Sequence, residues 1–180
     1  MLRLAKLGSK ILLSNFSTLT EPYKLTFAIT YKCNSRCVTC GIWKKKERNE
    51  LTTEEIKRIF EHISPAWVNL TGGEPFLRTD LREIASFAGK AYMLNLTTNG
   101  ILVDRILKVS EKISKLGFPK FVVVVSLDGP EKIHDKIRGV KGNWKKAVET
   151  FLGLKELERK RRNFKTFFGY TISKYNVGLI

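Results

Sequence analysis

Residues 33–40 read CNSRCVTC and contain all three cysteines of this 180-residue chain. An odd number of cysteines cannot pair completely into disulfides, and three thiols so close together in a Lys/Glu-rich chain are typical of a metal ligand set. The spacing Cys-x3-Cys-x2-Cys therefore predicts that Cys33, Cys37 and Cys40 bind one metal centre together.

Four kinds of site are candidates for this run. A structural zinc site prefers four ligands, and His62 and His134 fall in separate predicted helical regions, so zinc would lack a ligand. A thioredoxin-like pair of Cys37 and Cys40 would leave Cys33 unused. Ferredoxin-type clusters use another spacing and a fourth cysteine. A [4Fe-4S] cluster held by three thiolates would use every cysteine and leave one iron open to a substrate or cofactor.

Five apolar, β-prone stretches alternate with helical patterns along the chain. They cover residues 24–30, 66–70, 91–97, 121–127 and 165–172. Such alternation predicts βα units and a parallel sheet. The fourth stretch lacks period-two polarity, as expected of a strand that is buried on both faces.

Helix signals fall between these stretches. Residues 52–55 form a capping box, and Asp80 with Glu83 is predicted to form a second one. Gly117 is predicted to end a helix that starts near Asp104, and another helix is predicted over residues 143–160.

Residues 1–16 are predicted to form a short basic amphipathic helix, because Leu4, Leu7 and Ile11 recur at helical spacing with basic residues between them. It would lie against its own domain or on a membrane surface. We assign residues 1–20 to this extension and residues 21–180 to one core domain.

Three further motifs follow the predicted strands at their carboxyl ends. They are Gly-Gly-Glu-Pro at residues 72–75, Thr-Thr-Asn-Gly at residues 97–100 and Ser-Leu-Asp-Gly-Pro at residues 126–130. Ligands of parallel α/β folds bind at this edge of the sheet. The cysteines and these motifs are therefore expected to share one site.

Together with a fourth segment, His134-Asp135 through Arg138-Gly139, these motifs make the chain similar to radical S-adenosylmethionine (radical SAM) enzymes over roughly residues 25 to 176. The resemblance implies a partial TIM-like (βα) barrel, with the sheet truncated after about five strands where six are usual. It also implies that the cysteines hold a [4Fe-4S] cluster whose open iron chelates S-adenosylmethionine. One departure is Thr39, where many members carry an aromatic residue.

The resemblance assigns roles to the other motif residues. Gly72, Gly73, Glu74 and Pro75 would hold the methionyl ammonium. Ser126 and Arg138 would meet the carboxylate of the cofactor, a task suited to a hydroxyl and a planar cation. Asn99 and Asp128 would contact the ribose or the substrate. Ile172, Ser173 and Asn176 would line the adenine pocket.

The implied reaction is reductive cleavage of S-adenosylmethionine to a 5′-deoxyadenosyl radical, which abstracts hydrogen from the substrate. Its partners would be a ferredoxin- or flavodoxin-like one-electron reductant and an unknown substrate, with a peptide or a cofactor precursor as candidates. No apolar run approaches the length of a membrane span, so a cytoplasmic enzyme is expected.

The formal net charge of +16 admits two interpretations. One is solvated helix faces. The other is an anionic partner such as RNA, suggested by Lys44, Lys45 and Lys46 and by residues 159–162. Two alternatives to the enzyme therefore stay open: a non-catalytic metal-binding module that contacts nucleic acid, and an inactive fragment.

Overall fold

The computed structural model describes residues 2–45 and 49–179. Three residues of the predicted features lie outside these ranges: Met1 of the predicted helix, Lys46 of the basic cluster and Ile180 of the core domain. The elements are α1 (Leu2–Leu13), β1 (Lys24–Thr30), α2 (Thr53–His62), β2 (Trp67–Gly72), α3 (Leu81–Phe87), β3 (Met93–Thr98), α4 (Val103–Ser114), β4 (Lys120–Ser126), α5 (Glu131–Arg138), α6 (Asn143–Lys160) and β5 (Phe164–Gly169). Short 3₁₀ turns lie at Ile42–Lys44 and Pro75–Leu77.

The described strands form one parallel sheet in the order β1-β2-β3-β4-β5. Because crossovers between parallel strands are right-handed, a sheet whose order follows the chain carries its helices on one face. The result is a partial (βα) barrel. The predicted fold class is confirmed, and β5 is the edge strand of the described sheet.

The helix-covered face of the sheet carries the core. Val68, Leu70, Leu94, Leu96 and Phe121 are fully buried there, against apolar side chains from the helices. Burial of each such side chain contributes about 1.5–3 kcal/mol. This packing holds the strands in register, so their carboxyl ends meet along one edge.

The opposite face of the sheet is largely polar and partly exposed; we call it the open face. Side chains alternate across a strand, so it receives the residues between the core positions. Its members run in rows across the sheet: Lys24, Trp67, Met93 and Lys120; then Thr26, Asn69, Asn95, Val122 and Lys165; then Ala28, Thr71, Thr97, Val124 and Phe167.

The fifth strand is shorter than the predicted residues 165–172. Beyond Gly169 the backbone is held by side chains instead of by β4. The N–H of Thr171 donates to Asp128 Oδ1 (3.1 Å), and its carbonyl accepts from Asn176 Nδ2 (2.9 Å). The apolar composition of this segment predicted a strand, but these two contacts take its backbone out of the sheet.

The capping box at Thr52 and Glu55 is confirmed, with both reciprocal hydrogen bonds present. The prediction of a second capping box at Asp80 and Glu83 is wrong. Asp80 makes no capping hydrogen bond, because its carboxylate instead receives the hydroxyl of Thr53 and forms an ion pair with Arg78 (2.6 Å).

Helix α1 is fixed at the amino-terminal edge of the sheet. Arg3 donates to the carbonyl of Ala91 just before β3, Leu7 is buried, and Lys10 forms an ion pair with Glu21 (3.3 Å). The helix is therefore attached to its own domain, as one of the two predicted arrangements has it. Among the described residues no helix is both long and apolar enough to cross a membrane.

Candidate cofactor site

The residues between β1 and the first 3₁₀ turn, 31–41, carry the three thiols and form what we call the cysteine loop. Its start is held by Glu50, which accepts from the hydroxyl of Thr30 (2.9 Å) and the N–H of Tyr31 (2.7 Å). Its middle is held by α5, whose last two carbonyls accept from the N–H groups of Arg36 (2.9 Å) and Val38 (2.8 Å). A side-chain carboxylate on one side and backbone carbonyls on the other thus fix the loop.

All three thiols line one pocket at the carboxyl ends of the strands. Cys37 is buried, Cys33 is half-buried and Cys40 is exposed. Burial raises the pKa of the Cys33 and Cys37 thiols, and at Cys37 the guanidinium of Arg138 works in the opposite direction. The rest of the lining comes from the motifs and their neighbours: Ser35, Ile42, Trp43, Thr71, Gly72, Gly73, Thr97, Thr98, Asn99, Ser126 and Arg138.

The described residues contain no group of three or more His, Cys, Asp or Glu side chains placed to hold a single metal ion. A cubane cluster needs a different arrangement of its thiolate ligands. Each thiolate binds a separate iron, so the three sulfurs need not converge on one point. The donor set of this pocket, three thiols with hydroxyls and one guanidinium, fits a cluster next to a zwitterionic ligand.

Gly72 and Gly73 lie where the cysteine loop crosses the end of β2. The N–H of Gly73 donates to the carbonyl of Thr30 (2.7 Å), and a Cβ at either glycine would come within 2.2 Å of the carbonyl oxygen of Thr30 or Lys32. Gly72 also has φ +132°, a conformation that favours glycine. The two glycines therefore let the cysteine loop pack against β2, in addition to lining the pocket.

Glu74 is buried beneath the pocket and is absent from its lining. Oε1 accepts from the N–H of Phe76 (3.2 Å) and the hydroxyl of Thr98 (2.9 Å), and Oε2 accepts from the N–H of Asn99 (2.7 Å). The sequence predicted that this carboxylate contacts an ammonium group. In the structure it joins the end of β2 to the end of β3.

The stability of the metal-free chain is expected to fall as pH rises through the range in which Glu74 ionises. Burial raises the pKa of this carboxyl from 4.5 to about 7, although its three hydrogen bonds oppose the shift. The folded chain then binds more protons than the unfolded chain between these values, so the free energy of unfolding decreases by about 2 kcal/mol from pH 5 to pH 7.5.

Urea denaturation of the wild type and of Glu74→Gln at the two pH values measures this effect. Burial lowers the pKa of His134, so this residue makes the free energy of unfolding increase with pH below pH 6.5. Because the effect is the same in both proteins, it cancels when their pH profiles are subtracted. The decrease should be smaller in the variant by the contribution of Glu74. Parallel pH profiles would contradict the assignment.

Asn99 connects three segments of the site. Its side-chain amide donates to Asn34 Oδ1 in the cysteine loop (2.7 Å), its Oδ1 accepts from the N–H of Ile101 (3.0 Å), and its carbonyl accepts from Asn143 at the start of α6 (2.9 Å). Asn99 lines the pocket, and its side-chain amide also positions the cysteine loop. Its contact with a ribose or a substrate stays a prediction.

Replacing Asn99 with Ala is expected to lower the free energy of unfolding by about 1–2 kcal/mol, because the bonds to Asn34 and Ile101 are lost. A double-mutant cycle with Asn34→Ala isolates the contact with the loop, and its coupling energy should be about 1 kcal/mol. Urea denaturation of the four proteins gives this value. Additive effects would show that Asn99 does not hold the loop.

Ser126 and Arg138 face the pocket from β4 and α5. The guanidinium forms a buried ion pair with Asp128 (2.7 Å), and its Nη1 lies 3.9 Å from the sulfur of Cys37. Its Nε is buried and has no hydrogen-bond partner among the described residues.

Asp128 lies behind the pocket lining, not in it. Besides the ion pair with Arg138, its N–H donates to Nδ1 of the buried His134 (3.0 Å), and its Oδ1 accepts from Thr171. His134 therefore supports the loop after β4.

The predicted adenine-pocket residues do not line the pocket that contains the thiols. Ile172 is largely exposed, and Ser173 donates from its backbone and hydroxyl to Asn176 Oδ1. Asn176 is buried and donates to the carbonyl of Asp128 (3.1 Å). These residues connect the segment after β5 to the loop after β4.

Trp43 lines the pocket although none of the sequence motifs includes it. Its indole N–H donates to the carbonyl of Cys37 (3.2 Å), and its ring lines the pocket beside the thiols. An aromatic side chain is thus present near the last cysteine although position 39 is threonine. Its closeness in sequence to Cys40 was the available signal.

Known proteins are similar to this chain in sequence and in fold. The profile of the radical SAM superfamily matches residues 27–176. The chain is 35% identical over 179 residues to the Fe-coproporphyrin III synthase of Methanosarcina barkeri, a match that covers 96% of this chain and 42% of that protein. It is 34% identical over 143 residues to the mycofactocin maturase MftC of Mycolicibacterium smegmatis, covering 76% of this chain and 35% of that protein.

A solved structure shares the fold. The crystal structure of Streptococcus suis SuiB bound to the precursor peptide SuiA superposes with a TM-score of 0.66 at 18% identity, over 97% of this chain and 39% of that one. The chain thus spans less than half the length of these relatives. The family match and the identity to the curated relatives establish that the chain belongs to the radical SAM superfamily.

Proposed function

We propose that this chain binds a [4Fe-4S] cluster through Cys33, Cys37 and Cys40 and S-adenosylmethionine beside it, and that it abstracts hydrogen from a substrate. Members of its family bind both groups, and its relatives are enzymes. The observation that carries the proposal is the pocket itself, in which three thiols from one loop meet Gly73, Asn99, Ser126 and Arg138.

In this proposal each part of the chain has a separate task. The thiols hold the cluster, and Arg138 and Ser126 bind the carboxylate of S-adenosylmethionine. The bound pair supplies one-electron cleavage of a carbon–sulfur bond and removal of a substrate hydrogen. The chain orients the bound groups and shields them from water with Trp43 and the buried middle of the cysteine loop, Ser35 and Cys37.

The substrate and the electron donor belong to the proposal as well. SuiB binds a precursor peptide and MftC is a maturase, which supports a peptide or precursor substrate for this chain. A low-potential one-electron protein would reduce the cluster. We assign residues 1–20 to an extension and residues 21–180 to the core domain, and expect a cytoplasmic location.

Anaerobic reconstitution tests this function. With iron and sulfide the chain should take up about four irons, and the paramagnetic resonance signal of the reduced cluster should change when S-adenosylmethionine is added. With a strong reductant, 5′-deoxyadenosine should form. Iron uptake without any spectral response to S-adenosylmethionine, or without product, would refute the proposed activity and favour a non-catalytic metal-binding module.

A further inference from the structure

One side of α1 exposes large apolar side chains to solvent. Four of them are more than half exposed: Leu2, Leu12, Leu13 and Phe16. The N–H of Phe16 donates to the carbonyl of Leu13 (3.0 Å), so the helical turn continues to this residue. At about 100° per residue, the four positions lie about 120–180° around the helix from the buried Leu7. We call them the outer stripe, and contiguous exposed apolar side chains of this kind mark a contact surface.

The contacts of α1 with the domain fix the direction of the outer stripe. Arg3 donates to the carbonyl of Ala91 (3.3 Å), and Lys10 pairs with Glu21 (3.3 Å). The helix therefore lies at the amino-terminal edge of the sheet, which we call the amino edge, and its outer stripe faces away from the sheet. Residues 1–20 contain three cations and no carboxylate, so the surroundings of the stripe are positively charged.

The rest of the amino edge is basic as well. Four connections lead into strands here from α2, α3, α4 and α6: residues 63–66, 88–92, 115–119 and 161–163. Together they contain no carboxylate and four cations, which are Lys90, Lys115, Arg161 and Arg162. Two strands also begin with an exposed lysine at this edge, β1 with Lys24 and β4 with Lys120. The outer stripe is thus surrounded by basic side chains.

Carboxylates of the loops lie at the opposite edge of the sheet, beside the thiols. Four of them follow the carboxyl ends of strands: Glu50, Glu74, Asp80 and Asp128. Strands of six or seven residues separate the two edges by about 20 Å. The chain therefore has one edge that is basic and carries exposed leucines, while the thiol pocket opens at the other.

A lipid surface with anionic headgroups matches both properties of the amino edge. Apolar side chains of an amphipathic helix enter the boundary between headgroups and acyl chains, and anionic headgroups attract Lys and Arg. A nucleic acid would use the cations through its phosphates and leave the leucines in water. A second copy of the chain would cover the leucines but bring like charges together.

We propose that α1 docks this chain on a membrane that contains anionic lipids. The outer stripe enters the headgroup boundary, and the cations of the amino edge contact the headgroups. The helix stays attached to its own domain, because Leu7, Arg3 and Lys10 are on its other side. The thiol pocket then faces away from the membrane and stays open to solvent.

Co-sedimentation with vesicles tests the docking. The chain is mixed with vesicles of phosphatidylglycerol and phosphatidylcholine in equal parts, and separately with vesicles of phosphatidylcholine alone. We expect it to sediment with the anionic vesicles and to stay in solution with the neutral ones. Physiological salt should weaken the binding but not abolish it, because salt screens the attraction of exposed charges and leaves the apolar contribution.

The variant Leu12→Gln/Leu13→Gln/Phe16→Gln removes most of the outer stripe. Glutamine keeps the helix propensity, and the replaced side chains are exposed, so circular dichroism should match that of the wild type. Binding to the anionic vesicles should weaken roughly a hundredfold or more, because each large apolar side chain that leaves water contributes roughly tenfold. Leu152→Gln, at an exposed leucine of α6, is the matched control and should bind normally.

The variant Lys90→Gln/Lys120→Gln tests the charges of the amino edge. Both lysines are exposed, and each should contribute roughly a fivefold factor to binding of the anionic vesicles. Lys132→Gln is the matched control, because Lys132 is an exposed lysine of α5, the helix that holds the cysteine loop. This control should bind like the wild type.

Several results would overturn the proposal. They include equal binding to both kinds of vesicle, and an outer-stripe variant that sediments like the wild type. A dimer that forms without lipid and is lost in that variant would show that a second copy covers the stripe. Binding of a short RNA without any binding of vesicles would assign the cations to nucleic acid. None of these measurements depends on cluster binding or on the formation of 5′-deoxyadenosine.

Discussion

Alanine in place of Cys33, Cys37 or Cys40 is expected to abolish cluster retention and, with it, the cleavage of S-adenosylmethionine. With two thiolates left, two irons of the cube lack a protein ligand, and the cluster is lost to solvent. The iron content of anaerobically reconstituted chain should fall from about four per chain to the background of the metal-free protein. The formation of 5′-deoxyadenosine should fall to background with it.

Cys40→Ala is the most informative of the three variants, because Cys40 is exposed and its removal leaves no cavity. Its circular dichroism should match that of the wild type, which separates loss of a ligand from loss of the fold. Val38→Ala is the control within the same run, since Val38 is about half exposed at 53%, and it should keep its iron. A Cys40→Ala chain with full iron, or a wild type that holds stoichiometric zinc in place of iron, would contradict the cluster assignment.

The sheet and the neighbourhood of its motifs were predictable from the sequence for a physical reason. Apolar stretches separated by capped helices predict βα units, and parallel strands present all their carboxyl ends at one edge. Motifs that follow four successive strands must then meet. Cys33, Ser126 and Arg138 share a pocket because of this topology, although up to 105 positions separate them.

The roles of individual side chains were less predictable, because they depend on contacts between distant segments. The amide of Asn99 reaches Asn34, 65 positions away, and the buried Asp128 reaches Thr171, 43 positions away. No local pattern marks these pairs. The same is true of Glu74, whose motif predicts contact with a ligand while its three hydrogen bonds go to its own chain.

The basic cluster at the end of α6 has an ordinary explanation. Arg159 and Lys160 lie in the last turn, where positive charge stabilises a helix, and Arg159 pairs with Glu156 (2.6 Å). Part of the positive charge that suggested an anionic partner therefore stabilises the end of α6. Binding of nucleic acid stays a prediction, and steep weakening between low and physiological salt would be its signature.

Gly73 offers the sharpest test of how the sheet positions the thiols. Its φ lies outside the left-handed region, so replacement by alanine causes no backbone strain and isolates the effect of one methyl group. That methyl carbon would lie 2.1 Å from the carbonyl oxygen of Lys32. The oxygen is held in place by the N–H of Glu74 (2.8 Å), and Lys32 directly precedes Cys33.

Gly73→Ala is therefore expected to displace the start of the cysteine loop, because the contact must lengthen by more than 1 Å to reach an ordinary 3.4 Å. Overpacking of this kind lowers the free energy of unfolding by about 1–3 kcal/mol. The displaced Cys33 keeps its thiol but holds its iron less well, so the chain should retain less iron than the wild type and more than a Cys33→Ala chain. Urea denaturation and iron analysis measure the two effects. Gly41→Ala is the matched control in the same loop, since a Cβ there meets no atom within 4 Å. If both variants bound iron equally well, the thiols would be positioned by the contacts of α5 with the loop and not by its close approach to β2.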